Sequence, residues 1–365
     1  MTSNDAFSIA VLPGDGIGIE VMTPCIAALE AVARRVGDLA FRFEQHPAGA
    51  LHYRDTGTAL PKATLDAARH ADAILLGAMG WPDIRYPDGT EIAPQLDLRF
   101  ELGLYAGVRP VRTLTHLAPV LANPNARMLD FVIIRESTEG LFASVGKGVV
   151  DRDHATDTLV ITRKVCEPLF DFAFRLARAR KQNGGKGIVT CVDKANVFKS
   201  FAYFRSIFDE RAALNPDIEA RHAYVDATAL YMVQKPWEFD VLVTENIFGD
   251  ILSDLGAGLM GGLGAAPSAD IGDRHAVFQP CHGTAPDIAG QGKANPTAML
   301  LSGAMMLDWL GETPGRPQAN AAANLLRVAI DAAYADGLTP FEVGGHDGTA
   351  DIANAVLSAI ARVNI

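Results

Sequence analysis

The chain has few cysteines, and their spacing argues against two common uses of this residue. Only four occur in 365 residues, at Cys25, Cys166, Cys191 and Cys281, and no two of them form a Cys-x-x-Cys unit. Structural zinc sites and redox pairs both depend on closely spaced cysteines. The sequence therefore predicts reduced thiols inside a core, as is typical of a cytosolic protein.

Basic residues and long apolar runs are also scarce, which limits the range of partners. The chain has 32 lysines and arginines but 43 aspartates and glutamates. The resulting formal net charge of −11 argues against binding to nucleic acid or to an anionic membrane. The most apolar helical stretch, Ala298–Leu310, is too short to span a bilayer and contains Asp308. No signal peptide is predicted, because Met1–Asp5 carries no basic region before an apolar stretch. We expect a soluble, cytoplasmic protein.

What is present is an alternation of short β-rich runs with longer amphipathic segments, the pattern of an α/β protein. With 365 residues the chain is long enough for two domains. No linker divides it, as expected where two domains exchange the chain more than once. Strands are predicted at 8–12, 41–45, 73–77, 129–135, 158–162, 187–192, 218–225 and 241–244, with helices from the glycines at 14–18 to about residue 36, at 60–68 and after each of the last four strands.

A glycine-rich turn, Gly14-Asp-Gly-Ile-Gly18, follows the first strand. It lacks the final spacing of the Gly-x-Gly-x-x-Gly fingerprint, and no acidic residue ends a second strand at the expected distance. We interpret these glycines as a sharp turn from strand to helix, and not as a dinucleotide site.

Two carboxylates four residues apart, Asp250 and Asp254, fall on one face of the helix that Gly249 opens. Like charges so placed repel each other unless a cation neutralises them, and Mg²⁺ or Mn²⁺ prefers such oxygen ligands. The alternative is two solvated acids near a helix N-terminus, where the helix dipole favours negative charge. The spacing alone favours this alternative.

Three arginines form a second candidate group. Arg99 lies on a predicted helix, whereas Arg109 and Arg135 end or follow apolar segments. The planar fork of a guanidinium suits a carboxylate, so three converging arginines would bind a dicarboxylic acid. Taken singly, each is better explained as a surface residue.

Lys194 follows a buried strand at the start of a helix, and Asp226 is placed in the same way. Near a metal and arginines the ammonium form of a lysine is disfavoured, so Lys194 can serve as a proton shuttle near neutral pH. The alternative is an ion pair between Lys194 and the adjacent Asp193.

A Gly/Pro-rich loop, Cys281–Gly290, is followed by Ala294-Asn-Pro296 before a helix. Such a loop can offer backbone donors to a ligand. Within it, the Asp287 carboxylate can hold ribose hydroxyls and would repel a 2′-phosphate. The alternative is an ordered turn without a ligand.

Together these segments resemble the β-decarboxylating dehydrogenases that act on (R)-malate-type acids. The similarity runs from the glycine-rich turn to the C-terminal region, and the most specific matches are 244–254, 192–196 and 282–287. The resemblance implies an α/β, two-domain isocitrate/isopropylmalate dehydrogenase-like fold, not a Rossmann fold. It implies a cofactor-side domain of 1–107 plus 264–365, and a central domain of 108–263 for dimerisation, metal and substrate.

The resemblance also implies roles for individual residues. It implies a homodimer in which Lys194 and Asp226, the catalytic residues, enter the active site of the other subunit. It implies NAD as cofactor, because Asp287-Ile288 resembles the NAD-type version of the loop. The implied ligand sets are Asp226, Asp250 and Asp254 for Mg²⁺ or Mn²⁺; Arg99, Arg109, Arg135 and Gln95 for the substrate; and His282, Gly283, Thr284, Ala285, Asp287 and Asn295 for the cofactor.

The implied activity is oxidative decarboxylation of a small (R)-malate-type 2-hydroxy dicarboxylic acid, with 3-isopropylmalate as the first choice. D-malate, tartrate, isocitrate and another 3-substituted malate are the alternatives, because Ile92 and Gln95 in the specificity segment match no standard member. Phe142 stands where the family has a tyrosine general acid, so water or Ser144 would have to supply that proton. For this reason a non-catalytic regulatory or ligand-binding homologue stays open.

Overall fold

The computed structural model describes residues 6–114, 116–313 and 315–363. Residues 1–5, where no targeting signal is predicted, lie outside these ranges. The strands are β1 (Phe7–Gly14), β2 (Phe41–Gln45), β3 (Ala73–Ala78), β4 (Ala106–Arg112), β5 (Asp130–Glu136), β6 (Val149–Val150), β7 (Ala155–Thr156), β8 (Ile188–Asp193), β9 (Glu219–Tyr224), β10 (Val241–Thr244), β11 (Pro267–Ile271) and β12 (Ala276–Pro280). The helices are α1 (Ile17–Val36), α2 (Ala50–Thr56), α3 (Lys62–His70), α4 (Pro94–Leu102), α5 (Arg163–Gln182), α6 (Lys199–Ala213), α7 (Val225–Gln234), α8 (Asn246–Met260), α9 (Thr297–Gly311), α10 (Pro317–Ala335) and α11 (Thr349–Arg362).

Ten strands of the described chain form one sheet, in the order β2-β1-β3-β12-β11-β4-β5-β10-β8-β9. At one end β2, β1, β3 and β12 are parallel, and at the other end β5, β10, β8 and β9 are parallel. Between them β11 and β4 pair antiparallel with both of their neighbours. The two parallel sets therefore run in opposite directions and meet at β11 and β4, in the middle of the sheet.

Helices cover both faces of this sheet, and the alternation of side chains along the strands divides the core accordingly. In β1, Ile9 and Val11 pack in the large cluster that includes α1, whereas Ala10 and Leu12 pack with residues of α3 and α4. Burial on both faces explains why strands such as β3 are continuous apolar runs.

The predicted elements agree with the structure wherever local sequence was decisive. Phe41–Gln45 and Val241–Thr244 have the predicted bounds, and β1, β3, β5, β8 and β9 lie within two residues of theirs. The strand predicted at 158–162 is wrong, because only Val160 pairs there, in an isolated bridge with Gly140. The elements that were not predicted are α2, α10, α11, β4, β6, β7, β11 and β12.

The glycine-rich turn is packed against the protein itself, which confirms its interpretation as a strand-to-helix turn. Gly14 and Gly16 have positive φ values of 73° and 55°. A Cβ at Gly14 would lie 2.0 Å from the Ala78 carbonyl oxygen, and one at Gly16 would lie 2.2 Å from that of Thr284. Only glycine fits this backbone conformation and these contacts.

None of the helices among the residues described is long and apolar enough to cross a membrane.

The predicted domain boundary after residue 107 falls inside β4, a strand of the continuous sheet. The division into 1–107 plus 264–365 and 108–263 therefore stays a prediction.

Candidate active site

A pocket of about 190 Å³ lies beside the middle of the sheet, between α4 and α8. The strands β3, β4, β5, β11 and β12 contribute its floor and one wall. Arginine, aspartate and amide side chains converge on it, which is the arrangement expected of a site for a small polar ligand. The predicted site residues that line it are Gln95, Arg99, Arg109, Arg135, Asp250, Asp254, His282 and Gly283.

A larger cavity, of about 1110 Å³, lies between α5 and α9 but carries none of the predicted site residues. Its wall includes apolar side chains such as Phe172, Leu176 and Met305. Two arginines along it, Arg112 and Arg327, are already paired with Asp331 and Asp308. Volume alone therefore does not identify the reactive site, and the smaller pocket carries the chemistry.

Two of the pocket arginines are held by one buried carboxylate, that of Asp270. Arg99 Nε donates to Asp270 Oδ2 at 2.9 Å, and Arg109 Nη2 donates to Oδ1 at 3.1 Å. Burial alone would raise the pKa of Asp270, but the guanidiniums of Arg99, Arg109 and Arg135 lower it to about 2. Asp270 is therefore ionised and orients both forks.

Arg135 reaches the pocket from the end of β5 and is oriented by α8. Its Nε and Nη2 donate to Asn246 Oδ1 at 2.9 and 2.6 Å, and its Nη1 donates to Asp250. A Cβ at Gly249 would already lie 2.6 Å from the Arg135 Cβ, so the glycine lets α8 approach β5 closely. Burial and the neighbouring Arg99 lower the pKa of Arg135 to about 10, which leaves it protonated at neutral pH.

Asp250 and Asp254, one helical turn apart on α8, both face the pocket. Burial and the neighbouring Asp250 raise the pKa of Asp254, because the charged form is disfavoured there, and a cation bound at this place would remove that cost. Two acids do not complete a cation site, however. Among the described residues no group of three or more histidines, cysteines, aspartates or glutamates is placed to hold a metal ion.

The remaining predicted metal and catalytic residues, Asp226 and Lys194, lie outside this pocket. Lys194 Nζ donates to Asp226 Oδ1 at 2.6 Å, and this hydrogen bond lowers the pKa of Asp226. The alternative pairing of Lys194 with Asp193 is wrong, because Asp193 is buried and binds both Nε and Nη2 of Arg205. The structure thus forms the lysine–aspartate pair but does not bring it to the arginines of the same chain.

The predicted cofactor residues divide into two groups. His282 and Gly283 line the pocket, and burial lowers the pKa of His282, which keeps its imidazole neutral. Its Nε2 is buried and finds no hydrogen-bond partner in the described part of the chain. A buried polar atom without a partner is costly, so this nitrogen indicates a place for a ligand group.

The other predicted cofactor residues do not line the pocket. The Thr284 carbonyl accepts a hydrogen bond from Ile17 N at 2.9 Å, which joins the loop to the glycine-rich turn. Ala285 adopts a positive φ of 38°, and Asp287 is exposed. Asn295 is buried, and its Oδ1 accepts from Thr297 N at 3.1 Å.

The pocket wall also holds an unpaired amide. Gln95 Oε1 is buried, and nothing in the described ranges hydrogen-bonds to it. Ile92, predicted to take part in specificity, does not line the pocket and instead packs with Ala50 and Ala59. The Ile92 side chain therefore lies in a separate apolar cluster, and its part in specificity stays a prediction.

Phe142 lies beside the pocket, with the Arg135 Cζ 5.3 Å from the centre of its ring. The phenyl ring gains a cation–π contact there but has no proton to donate. Ser144, the predicted substitute donor, is already engaged. Its Oγ donates to the Thr158 carbonyl at 2.6 Å and accepts from Thr158 N at 2.9 Å.

Sequence reasoning missed two members of this site, Asp270 and Asn246, and the hydrogen bond that Gln279 makes to Asp270. Gln279 Nε2 donates to Asp270 Oδ2 at 2.8 Å. The available signal was an acidic residue inside the short apolar run Pro267–Ile271. This signal is informative only if the run is recognised as a strand. Side chains then alternate between the two faces of the sheet, and Asp270 falls on the face of the arginines.

The stability of the folded state should depend on pH through Glu136, the residue after Arg135. Burial raises its pKa to about 7, although Thr138 and Glu139 N–H groups donate to its carboxylate. Its ordinary pKa is 4.5, so between these values the folded state keeps a proton that the unfolded state has lost. This stabilisation is complete below the unfolded pKa and is lost as the pH rises through the folded pKa.

We therefore expect the melting temperature of the wild type to fall more steeply from about pH 5 to about pH 8 than that of Glu136→Gln. The amide does not titrate, so its contribution stays constant. Thermal unfolding of both proteins across this range measures the difference. Parallel curves would contradict the assignment of a raised pKa to Glu136.

The chain is similar to known proteins over most of its length. A protein-family profile described as isocitrate/isopropylmalate dehydrogenase matches residues 8–356. The chain is 43% identical over 353 residues to 3-isopropylmalate/3-methylmalate dehydrogenase of Methanocaldococcus jannaschii, covering 96% of this chain and 98% of that protein. It is 41% identical over 367 residues to 3-isopropylmalate dehydrogenase of Listeria monocytogenes, covering 97% and 98%.

Solved structures are similar over nearly the whole chain. Isocitrate dehydrogenase from Methylococcus capsulatus superposes with a TM-score of 0.84 at 36% identity, covering 98% of this chain and 100% of that one. A β-decarboxylating dehydrogenase from Thermococcus kodakarensis, in its apo form, superposes with a TM-score of 0.80 at 37% identity, covering 97% and 96%.

Proposed function

Because this chain belongs to the isocitrate/isopropylmalate dehydrogenase family, we propose that it oxidises and decarboxylates 3-isopropylmalate with NAD⁺ and a divalent cation. It is an oxidoreductase of the β-decarboxylating kind, and the predicted α/β fold of this family is confirmed by the similar solved structures. The substrate is proposed from relatives that are named 3-isopropylmalate dehydrogenase. Isocitrate remains the alternative, because a structural neighbour is an isocitrate dehydrogenase.

The observation that carries this proposal is the convergence of Arg99, Arg109 and Arg135 on a pocket that also holds Asp250 and Asp254. Guanidiniums bind carboxylates through paired, charge-assisted hydrogen bonds, and so can hold both ends of a dicarboxylic acid. Their partners in the protein fix them before any substrate arrives, which reduces the ordering cost of binding.

The acids fit Mg²⁺ or Mn²⁺, which take oxygen ligands. Asp250 and Asp254 would hold the cation together with Asp226 of a second copy of the chain. A bound cation would act as a Lewis acid that polarises the substrate hydroxyl. The neutral, unpaired His282 Nε2 and the loop that contains it fit a polar group of NAD.

The protein's own groups then account for binding and for the first proton. The arginines orient the two carboxylates of the substrate. Lys194 and Asp226, 2.6 Å apart, form a relay that can accept the hydroxyl proton, and NAD⁺, when bound, would be the hydride acceptor. The cytoplasm is the proposed compartment, since all four cysteines are free thiols and three of them are buried.

A homodimer with shared active sites is proposed because Lys194 and Asp226 lie apart from the arginines of their own chain. The surface next to them supports this proposal. Leu230, Val233 and Ile251, on α7 and α8, are 52%, 50% and 64% exposed. Exposed apolar side chains grouped in this way are typical of protein–protein interfaces.

The activity is tested by following NADH formation with 3-isopropylmalate, isocitrate, D-malate and tartrate. We expect turnover of 3-isopropylmalate with Mg²⁺ or Mn²⁺, its loss with EDTA, and its return when the cation is restored. No turnover of any of the four would remove this proposal. Intact substrate binding in that case would favour a non-catalytic, ligand-binding homologue.

The shared site is tested by complementation between two inactive variants. Lys194→Met and Asp254→Asn each remove one half of the proposed site, so each homodimer should be inactive. Co-expression produces mixed dimers in which one of the two sites retains both halves, and NADH formation should return. Mixed dimers that form but stay inactive would contradict the sharing of sites.

A further inference from the structure

A buried aspartate lies beneath the pocket arginines without lining the pocket itself. Asp270, on β11, is 2% exposed at its side chain. Its Oδ2 accepts hydrogen bonds from Arg99 and Gln279, and its Oδ1 accepts from Arg109 and, at 3.4 Å, from Ser137. Solvent and substrate do not reach this carboxylate, so it acts on a ligand only through the arginines.

The neighbouring strand β4 leaves room for this carboxylate. Gly107, on β4, is the register partner of Asp270, and a Cβ there would lie 3.1 Å from Asp270 Oδ1 and 2.7 Å from Ser137 Oγ. Alternation along β4 then places Arg109 on the same face, two residues further on. The pairing of β4 with β11 therefore fixes the arginine and the aspartate relative to each other.

The charges of the site set the charge of its ligand. Three arginines and two aspartates, Asp250 and Asp254, line the pocket. With a bound divalent cation their net charge is three positive, and Asp226 and Lys194 of the second copy add one charge of each sign and leave this sum unchanged. The ionised Asp270 lowers it to two positive. A dicarboxylate balances that charge, whereas a tricarboxylate leaves one negative charge uncompensated in a partly buried site.

We propose that Asp270 is a positioning residue that holds Arg99 and Arg109 and lowers the positive charge of the pocket, so that the site selects dicarboxylates over tricarboxylates. This inference rests on the proposed function and narrows its substrate class to acids whose third substituent is uncharged. Gln95 agrees with it, because this side chain lines the pocket as a neutral amide and adds no charge to it.

The selection is measured without turnover by titrating the protein with succinate and with tricarballylate (propane-1,2,3-tricarboxylate), in excess Mg²⁺ and without NAD⁺. The wild type should bind succinate more tightly. In Asp270→Asn the ratio of the two dissociation constants should shift towards tricarballylate by about tenfold or more, because the pocket gains one positive charge. An unchanged ratio overturns the proposal.

A matched control separates charge selection from loss of a buried ion pair. Asp240 is also buried and accepts from Arg180 Nε at 2.6 Å, but it does not contact the pocket arginines. Asp240→Asn should therefore lower stability without changing the binding ratio. If it shifts the ratio as much as Asp270→Asn does, the effect is structural and the proposal fails.

A second variant moves the charge instead of deleting it. In Asp270→Asn with Gln279→Glu, a carboxylate returns on the neighbouring strand, and the ratio should return towards that of the wild type. If Asp270→Asn does not fold, Gln279→Lys alone, which places an ammonium against the Asp270 carboxylate, should shift the ratio towards tricarballylate, and no shift overturns the proposal. If the wild type prefers succinate as expected but forms no NADH, the proposed function fails and this inference stands. If it forms NADH but does not prefer succinate, this inference fails and the proposed function stands.

Discussion

Replacing Arg109 by methionine should lower the free energy of unfolding by about 3 kcal/mol and kcat/KM by roughly 100-fold. Methionine keeps the apolar stem but removes a guanidinium that is 6% exposed and bound to a buried carboxylate. Asp270 then loses one of its two direct arginine partners, and the substrate loses a charge-assisted hydrogen bond. Chemical denaturation and steady-state kinetics measure the two effects.

The same strand offers a matched control in Arg112→Met. Arg112 pairs with Asp331 through two hydrogen bonds of 2.9 Å, but both side chains are partly exposed and lie on the opposite face of the sheet. Solvent screens such a pair, so we expect a stability loss of about 1 kcal/mol or less and no change in kcat/KM. Equal effects of the two substitutions would contradict the special role of the Arg109–Asp270 pair.

Replacing Phe142 by tyrosine should raise the rate of carbon dioxide release by about 100-fold, the usual worth of a positioned general acid. The new hydroxyl would extend from a ring that already lies 5.3 Å from the Arg135 guanidinium carbon. That positive charge would lower the pKa of the tyrosine from its ordinary value of about 10, which brings it closer to neutral pH. Parallel measurements of NADH and carbon dioxide show which step changes.

The matched variant here is Phe142→Leu, which removes the ring without adding a hydroxyl. It should be no faster than the wild type, since it loses the cation–π contact and gains no acid. If Phe142→Tyr is also no faster, the missing hydroxyl does not limit the reaction. Solvent water would then be a sufficient source of the last proton.

The predicted and observed elements differ where tertiary context outweighs local sequence. The apolar run Val241–Thr244 forms β10 as predicted, because a buried parallel strand needs no alternation to be recognised. By contrast, β4 contains Pro110 and two arginines, which argue locally against a central strand. It becomes one because β5 and β11 pair with it from both sides.

By itself the sequence determined the α/β class, the family and the identity of most polar residues around the pocket. These depend on periodicity and on motifs such as Thr244–Asp254, which are local properties of the chain. The tertiary structure decided which of those residues meet. It joined Arg99, Arg109 and Arg135 but left Asp226 outside, and it turned Ile92 away from the pocket.

Only the structure revealed Asp270, because its role depends on the pairing of β11 with β4 and β12. Contacts between Asp270 and Arg99 span 171 residues, and no local pattern encodes such a distance in the chain. A carboxylate can persist in that buried position only where strands from distant parts of the sequence bring cations to it. Whether cations reach Asp270 is therefore decided by the fold, because the residues that supply them come together only when the sheet has formed.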